Sequence, residues 1–398
     1  MRKVAIGQAG GPTAVLNASL VGLVEGLYGS SEIYPVHDGY QGLVERNYGQ
    51  LNHSGYEWIR QHAVVPGACL GAGRYDFSSD LMERALNQLK LDDIHTLAFI
   101  GGNGTMAALQ RMGDMARQMG YELQTIGVPK TVDNDLCETD HAPGFASAAK
   151  YVMLSVRNIV KDLEAMRNFE QVRIIETMGR NAGWLALSSG FLRSSDQDGP
   201  HHIYIPEIAV SSEEFLKSVG ETVKVNGTAT IVVSEGFSFA GEDKIERNVV
   251  NGRQILGGIS SRMEQLIRDQ FGFNVRSENL GMNQRSASYA VSLQDRQEAY
   301  EVGKQAALYI KEDLSGLMVN IQRQNTKCYN YTVGQVPLEQ VARSGERLLP
   351  ASYLANLPEY YNWLGPILGE SIAPYPAKWR EIKNESTIYP EFGRSQEK

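Results

Sequence analysis

Positive charge is scarce in this chain. Its 38 lysines and arginines face 46 acidic residues, which leaves a net charge of −8 and a pI near 5.5. No strongly basic stretch occurs, and this disfavours nucleic acid as the main partner. Cysteine is scarcer still. Cys69, Cys137 and Cys328 are odd in number and widely spaced, so they form no zinc pattern and suggest a reducing compartment. Long apolar runs are also missing: the longest, such as residues 96–100 and 231–233, are far too short to span a bilayer. A strand beginning at residue 2 leaves no room for a signal peptide. These absences lead us to expect a soluble, cytoplasmic protein that binds neither nucleic acid nor membrane. What the chain does have is 40 glycines, dispersed at element boundaries rather than gathered in a linker. With 398 residues, 42% of them hydrophobic, it is long enough for two cores.

The order strand, glycine turn, helix recurs along the chain. Apolar spacing predicts strands over 2–7, 33–36, 95–100 and 123–128, with helices over 14–28, 81–91 and 106–119. In the first helix Val15, Leu20, Leu23 and Leu27 face inward. A second set follows, with helices over 144–160, 182–192, 255–271 and 294–311 and strands over 172–177, 203–205 and 228–233. From residue 314 a hairpin and a helical tail are expected. This alternation predicts an α/β fold with doubly wound, mostly parallel sheets, divided near Pro143 and Gly144. Ligands in such sheets sit at the carboxyl ends of strands, where three polar loops lie.

Residues 7–13, GQAGGPT, lead from a strand into a helix. Amides at a helix N-terminus, with glycines allowing close approach, make an anion site; the same layout also fits an ordinary βα turn. It matches neither the dinucleotide fingerprint nor the Walker pattern. Residues 101–105, GGNGT, repeat the layout with an amide and a hydroxyl added, making Gly102, Asn103, Gly104 and Thr105 candidate donor contacts. Asn103 fits either a magnesium ligand or a helix N-cap.

The loop after the 123–128 strand is the most specific. Residues 130–135, KTVDND, hold a cation, a hydroxyl, an amide and two carboxylates around one hydrophobic residue, Val132. A surface turn needs a single Asn or Asp to bond its own backbone, not Lys130, Thr131, Asp133 and Asp135 together. Phosphoryl transfer needs that set: a cation to spread charge, a carboxylate to take the hydroxyl proton, and another near the metal. Five arginines, Arg74, Arg173, Arg180, Arg276 and Arg285, lie at strand ends or beside glycines. Forked donors there suit phosphate, and each alone also fits a structural or solvated arginine.

Taken together, the motifs closely resemble the phosphofructokinase family, from Val4 to about Arg323. The residues that carry the resemblance are GGPTAVLNA at Gly10, LGAGR at Leu70, GGNGT at Gly101, PKTVDND at Pro129 and MGRNAGWLA at Met178. HHIYIPE at His201, SEG at Ser234, LGG at Leu256 and the pair Arg276 and Arg285 extend it. The resemblance implies two Rossmann-like three-layer domains with the site in the cleft. Residues 1–143 plus about 284–345 would bind the donor, 144–283 the acceptor, and 346–398 would form a helical tail.

It also implies roles. Asp133 matches the general base for the sugar 1-hydroxyl, Asp135 a carboxylate near the metal, and Thr131 a hydroxyl on the transferred phosphoryl group. Gly11 and Arg74 fall where the family holds the donor phosphates. Met178, Gly179 and Arg180 line the sugar site, and Glu235 binds the sugar's hydroxyls. Arg276 and Arg285 match the grip on the acceptor's 6-phosphate, some of which comes from a neighbouring subunit in the family's dimers and tetramers. Mg²⁺ is the implied cofactor, and fructose 6-phosphate with ATP or pyrophosphate the implied substrates.

Three positions depart from the family. Asn103 stands where many members have Asp. A family Arg seven residues before Met178 is Gln171, with Arg173 two positions later, and a family His is Met282. The donor signals oppose each other. Lys130 is the pyrophosphate-type residue, whereas Gly104 leaves open the space that pyrophosphate-using relatives fill with Asp, which favours ATP. The expected activity is therefore ATP-dependent transfer to the 1-hydroxyl of fructose 6-phosphate. The alternatives are pyrophosphate as donor, another acceptor such as sedoheptulose 7-phosphate, and a non-catalytic regulatory paralogue.

Overall fold

Buried runs of β-branched residues build two separate sheets. A computed structural model of the chain describes residues 1–376 apart from 74, 196, 251, 252, 327 and 370. In chain order the strands are β1 (Arg2–Gln8), β2 (Ser31–Val36), β3 (Thr96–Gly101), β4 (Gln124–Pro129), β5 (Val172–Thr177) and β6 (His202–Tyr204). They continue with β7 (Ala229–Ser234), the hairpin β8 (Glu246–Val250) and β9 (Arg253–Leu256), β10 (Val275–Asn279), β11 (Leu317–Arg323) and β12 (Tyr331–Pro337). The first sheet has the order β12-β11-β4-β3-β1-β2 and the second β10-β5-β7-β6. All neighbours in both are parallel except β11 and β12. Every residue of β3, β5 and β7 is buried, as parallel strands covered on both faces require. The fold is the α/β arrangement the alternation predicts.

The helix Leu16–Leu27 and the helix Leu293–Lys311 cross on one face of the first sheet, which ties residues far apart in sequence into one layer. The crossing needs glycine at the contact. A Cβ on Gly303 would stand 2.0 Å from Ser19 O, and one on Gly22 2.0 Å from Tyr300 O.

Some elements differ from expectation. Over 182–192 only Trp184–Ser188 is helical, and Gly190 follows against the Tyr361 hydroxyl. The helix Ser212–Asn226 is an addition; its capping box pairs Ser211 with Glu214, and Gly227 ends it at φ 80°. The tail packs back on the second sheet's helices. Tyr360 and Trp363 are buried against Trp184, with ring centroids 6.0 and 5.3 Å away. Among the described residues no helix is long and apolar enough to cross a membrane. The tail beyond residue 376 lies outside the described residues.

Candidate active site

The loops expected to hold the donor are organised from beneath by two buried amides. Gln8, fully buried on β1, donates to Asn17 Oδ1 at 3.1 Å and accepts from Leu70 N at 3.1 Å. Asn17 accepts from Cys69 N at 2.9 Å and donates to Val65 O at 2.9 Å. Together they draw the 65–73 loop onto the loop after β1, where Gly10 N donates to Ala72 O at 3.2 Å. Arg74, the donor contact expected next in sequence, lies outside the described residues.

Lys130 then joins the three polar loops. Its N–H donates to Gly101 O at 2.9 Å, while its ammonium donates to Gly11 O at 2.8 Å. It is only 4% exposed, so its charge is held in place. Gly102 lies against the same strand end, 3.3 Å from Lys130 O if given a Cβ, and buried Thr105 packs its hydroxyl on Gly101. Thr131 Oγ1 accepts from Asp133 N at 3.1 Å, a local turn that fixes the half-buried Asp133. Asn134 takes the left-handed conformation, φ 53°, and its Oδ1 accepts from Ala142 N at 3.0 Å.

Asn103 is not an N-cap: Gly102 holds that position and no side chain caps the helix Asn103–Gln118. Instead Asn103 Nδ2 donates to Asp135 O at 2.9 Å. Burial pushes the Asp135 carboxyl above its usual range and the nearby charge of Glu346 adds to this, against hydrogen bonds from Thr131 and Asn103. Its Oδ1 is buried without a hydrogen-bond partner. An orphaned, charge-disfavoured carboxylate oxygen fits a cation. Among the described residues no group of three or more His, Cys, Asp or Glu could hold a metal. One carboxylate completed by substrate phosphates is a normal Mg²⁺ arrangement.

The residues expected on the acceptor side are built on the turn that follows β5. Met178 N donates to Gln284 Oε1 at 2.9 Å. Gly179, at φ 130°, offers its carbonyl to Ser234 Oγ at 2.5 Å and Gly236 N at 3.1 Å. Glu235 N donates to Thr177 O at 2.9 Å, so Glu235 stands beside the Arg180 turn. Arg285, next to Gln284, reaches the loop after β1: a Cβ on Gly11 would lie 2.8 Å from its Nη1. The donor loop, the Lys130 loop and the 178–180 turn therefore meet in one place.

Arg173 and Arg276 are not brought there within the chain. They sit opposite each other at the amino ends of β5 and β10, roughly 16 Å along the strand from Met178. Arg173 is committed to Glu170, to Asp162 at 3.2 Å and to Glu278 at 2.6 Å. Arg276, with a side chain 62% exposed, pairs with Glu170 at 2.5 Å.

Loops of this kind at the carboxyl ends of parallel strands suit phosphoryl chemistry, and comparison with known proteins names the family. A model of the family described as Phosphofructokinase matches residues 3–310. The chain belongs to the phosphofructokinase family. It is 46% identical over 366 residues to the sulfofructose kinase of Alkalicoccus urumqiensis, covering 92% of this chain and 95% of that protein. The pyrophosphate–fructose 6-phosphate 1-phosphotransferase of Xanthomonas campestris pv. campestris is 33% identical over 359 residues, covering 87% and 85%. The crystal structure of the pyrophosphate-dependent phosphofructokinase from Marinobacter aquaeolei superposes with a TM-score of 0.82 at 29% identity, covering 94% of each chain. The chain is thus a phosphofructokinase-type sugar kinase.

Sequence reasoning passed over a buried charged cluster just after the 130–135 loop. His141, fully buried, lies between Asp140 at 2.8 Å and Glu298 at 2.6 Å. Burial opposes its charge, but Glu298 and Asp140 prevail and raise it to about 9. Arg323 and Trp363 donate to Asp140, Tyr329 and Gln294 to Glu298, and Arg347 to the Thr139 and Asp140 carbonyls. A folded-state value above the unfolded 6.5 means this stability is fully present below about pH 6.5 and lost as pH rises through about 9. Melting temperature should therefore fall between pH 7 and 9.5, by an amount worth roughly 3 kcal/mol. In Glu298→Gln that slope should flatten while the whole curve drops. A parallel drop with an unchanged slope would show that His141 is neutral.

Proposed function

We propose that this kinase transfers the terminal phosphoryl group of ATP to the 1-hydroxyl of sulfofructose, in preference to fructose 6-phosphate. The observation that carries the reading is charge lost from the distal-anion grip. A phosphate monoester bears −1.5 to −2 at pH 7, whereas a sulfonate bears a single charge. Where the family resemblance leads one to expect Arg and His, this chain has the neutral Gln171 and Met282. Gln171 is occupied, its Oε1 accepting from Asn274 N at 3.0 Å, and Met282 is 60% exposed. Of the cations the resemblance assigns to this grip, Arg285 and Arg276 are retained, and Arg276 is already partly offset by Glu170 at 2.5 Å, which suits a singly charged group. The 46% identity to a sulfofructose kinase supports the same reading. Fructose 6-phosphate is the second reading, favoured by the retention of Glu235, Arg276 and Arg285.

Asp133 takes the proton of the attacking hydroxyl. Lys130, Arg180 and the amides of the two glycine loops stabilise the charge that spreads over the transferring group. Asp135 would hold Mg²⁺ together with the donor's phosphates, which when bound neutralises their charge. Asn103, bonded to the Asp135 carbonyl, orients that stretch. Arg276 points away from its own cleft, so its use on an acceptor requires a second copy of the chain, in a homodimer or homotetramer.

The test is a panel of sulfofructose, fructose 6-phosphate and sedoheptulose 7-phosphate with ATP or pyrophosphate. Sulfofructose with ATP should exceed fructose 6-phosphate in kcat/KM by about a hundredfold, the worth of one or two charge-assisted bonds. Gln171→Arg with Met282→His should raise fructose 6-phosphate use about tenfold. A preference for fructose 6-phosphate in the parent enzyme would overturn the acceptor assignment.

A further inference from the structure

The 178–181 turn is reached by side chains from two distant segments. Lys244, in the stretch between β7 and β8, donates its ammonium to Arg180 O at 2.7 Å and Asn181 Oδ1 at 2.6 Å. Asn181 Nδ2 donates in turn to Glu346 Oε2. The orientation of that amide is forced, since a flip would set its NH₂ against an ammonium and its oxygen against a carboxylate. Glu346 belongs to the segment after the helix Leu338–Ser344 and pairs antiparallel with Leu136. The next residue, Arg347, donates its N–H to Asp135 O at 2.8 Å, the carbonyl that also accepts from Asn103.

A continuous path therefore runs from the first-sheet helix Asn103–Gln118, through Asp135 and the 346–347 segment, to the turn at the end of β5. We propose that Lys244 and Glu346 are positioning residues that clasp the Arg180 turn to the Asp135 stretch across the cleft. This rests on reading Arg180 as a cation at the transfer site. An isolated exposed ion pair would contribute little, at most about 1 kcal/mol. Here the two charges are instead relayed through the Asn181 amide, and two features set that relay apart. Its ends lie in segments about a hundred residues apart, the stretch before β8 and the segment bridged to Leu136, and its target carbonyl has almost no freedom, since a Cβ on Gly236 would stand 1.8 Å from Arg180 O. With that carbonyl held by Gly236 on one side and Lys244 on the other, the backbone from which the Arg180 side chain springs is fixed by the clasp. Burial lowers the Lys244 pKa, as expected for an ammonium drawn off the surface by these partners.

The test uses Lys244→Met, Glu346→Ala, the double variant and Lys244→Arg in the full chain. Lys244→Met should lower kcat about tenfold to a hundredfold, the cost of a small misplacement at a transfer site, while the donor KM moves less than about threefold. The double variant should be no more than about twofold worse than the weaker single one, because both remove the same link. Lys244→Arg should regain most of the loss. Hydrogen exchange, which needs no turnover, should quicken at residues 134–137 and 178–183 in either single variant. Additive kinetic losses, or exchange changes confined to the mutated segment, would overturn the clasp. If exchange couples across the cleft but Arg180→Ala keeps full turnover, the clasp stands and the reading of Arg180 fails instead.

Discussion

Replacing Asp133 with Asn should lower kcat by about a thousandfold, within the range that a positioned general base contributes. That is about 4 kcal/mol of transition-state stabilisation. The substitution is isosteric, and the turn that holds the residue uses its backbone, with Asp133 N donating to Thr131 Oγ1 at 3.1 Å. The neighbouring anchors, Lys130 on Gly11 and Asn134 on Ala142, do not involve the Asp133 carboxylate. Melting temperature and acceptor KM should therefore stay close to the parent values, which separates loss of the base from loss of the loop. Steady-state kinetics with saturating donor, beside a thermal melt, make the measurement. A kcat within tenfold of the parent would place the base elsewhere. A large rise in KM at constant kcat would make Asp133 a binding group rather than a proton acceptor.

How much of this site was legible before the structure depends on where each residue's partner lies. The 130–135 loop was readable as a candidate because its pattern is local: Thr131, Asp133 and Asp135 stand within one turn, a set that a surface turn does not need. The strand pattern was readable for a similar reason, since β3 and β7 are buried on both faces and leave short, mostly apolar runs. Residues whose partners are far away in sequence were not readable. Gln284 caps Met178 N across 106 residues. Glu176, fully buried in β5, accepts from Gly258 N and Ser260 N at the start of the helix Ile259–Phe271. Periodicity cannot distinguish such an acid from a solvated one. The same limit applies to Arg173. Its strand-end position suited a phosphate, but three carboxylates converge on it from Asp162, Glu170 and Glu278. The missed helix Ser212–Asn226 is different, because its capping box of Ser211 and Glu214 and its Gly227 stop are sequence-local signals.

Gly104→Asp should reduce kcat/KM for ATP at least about a hundredfold while leaving the fold intact. A Cβ at Gly104 would meet nothing within 4 Å, so the new side chain encounters no clash. Gly104 lies in the first turn of the helix Asn103–Gln118, which carries no acidic residue there. A carboxylate at that end interacts favourably with the helix dipole, by about 0.3–1 kcal/mol, so melting temperature should hold or rise slightly. The effect on turnover is then electrostatic. The loop amides and Lys130 beside this turn favour negative charge, and the nucleotide's inner phosphates would occupy the space the glycine leaves open. A fixed carboxylate about 4 Å from such a phosphate costs about 4 kcal/mol at an effective dielectric near 20. Pyrophosphate has no nucleoside-linked phosphate to meet that charge, so its use should fall far less, or emerge where it was absent. Parallel assays with the two donors, on parent and variant, give a ratio insensitive to any general loss of activity. If ATP turnover is unchanged by Asp at 104, the open space beside this helix is not where the donor's inner phosphates run. Lys130 would then become the stronger guide, and pyrophosphate the better choice of donor.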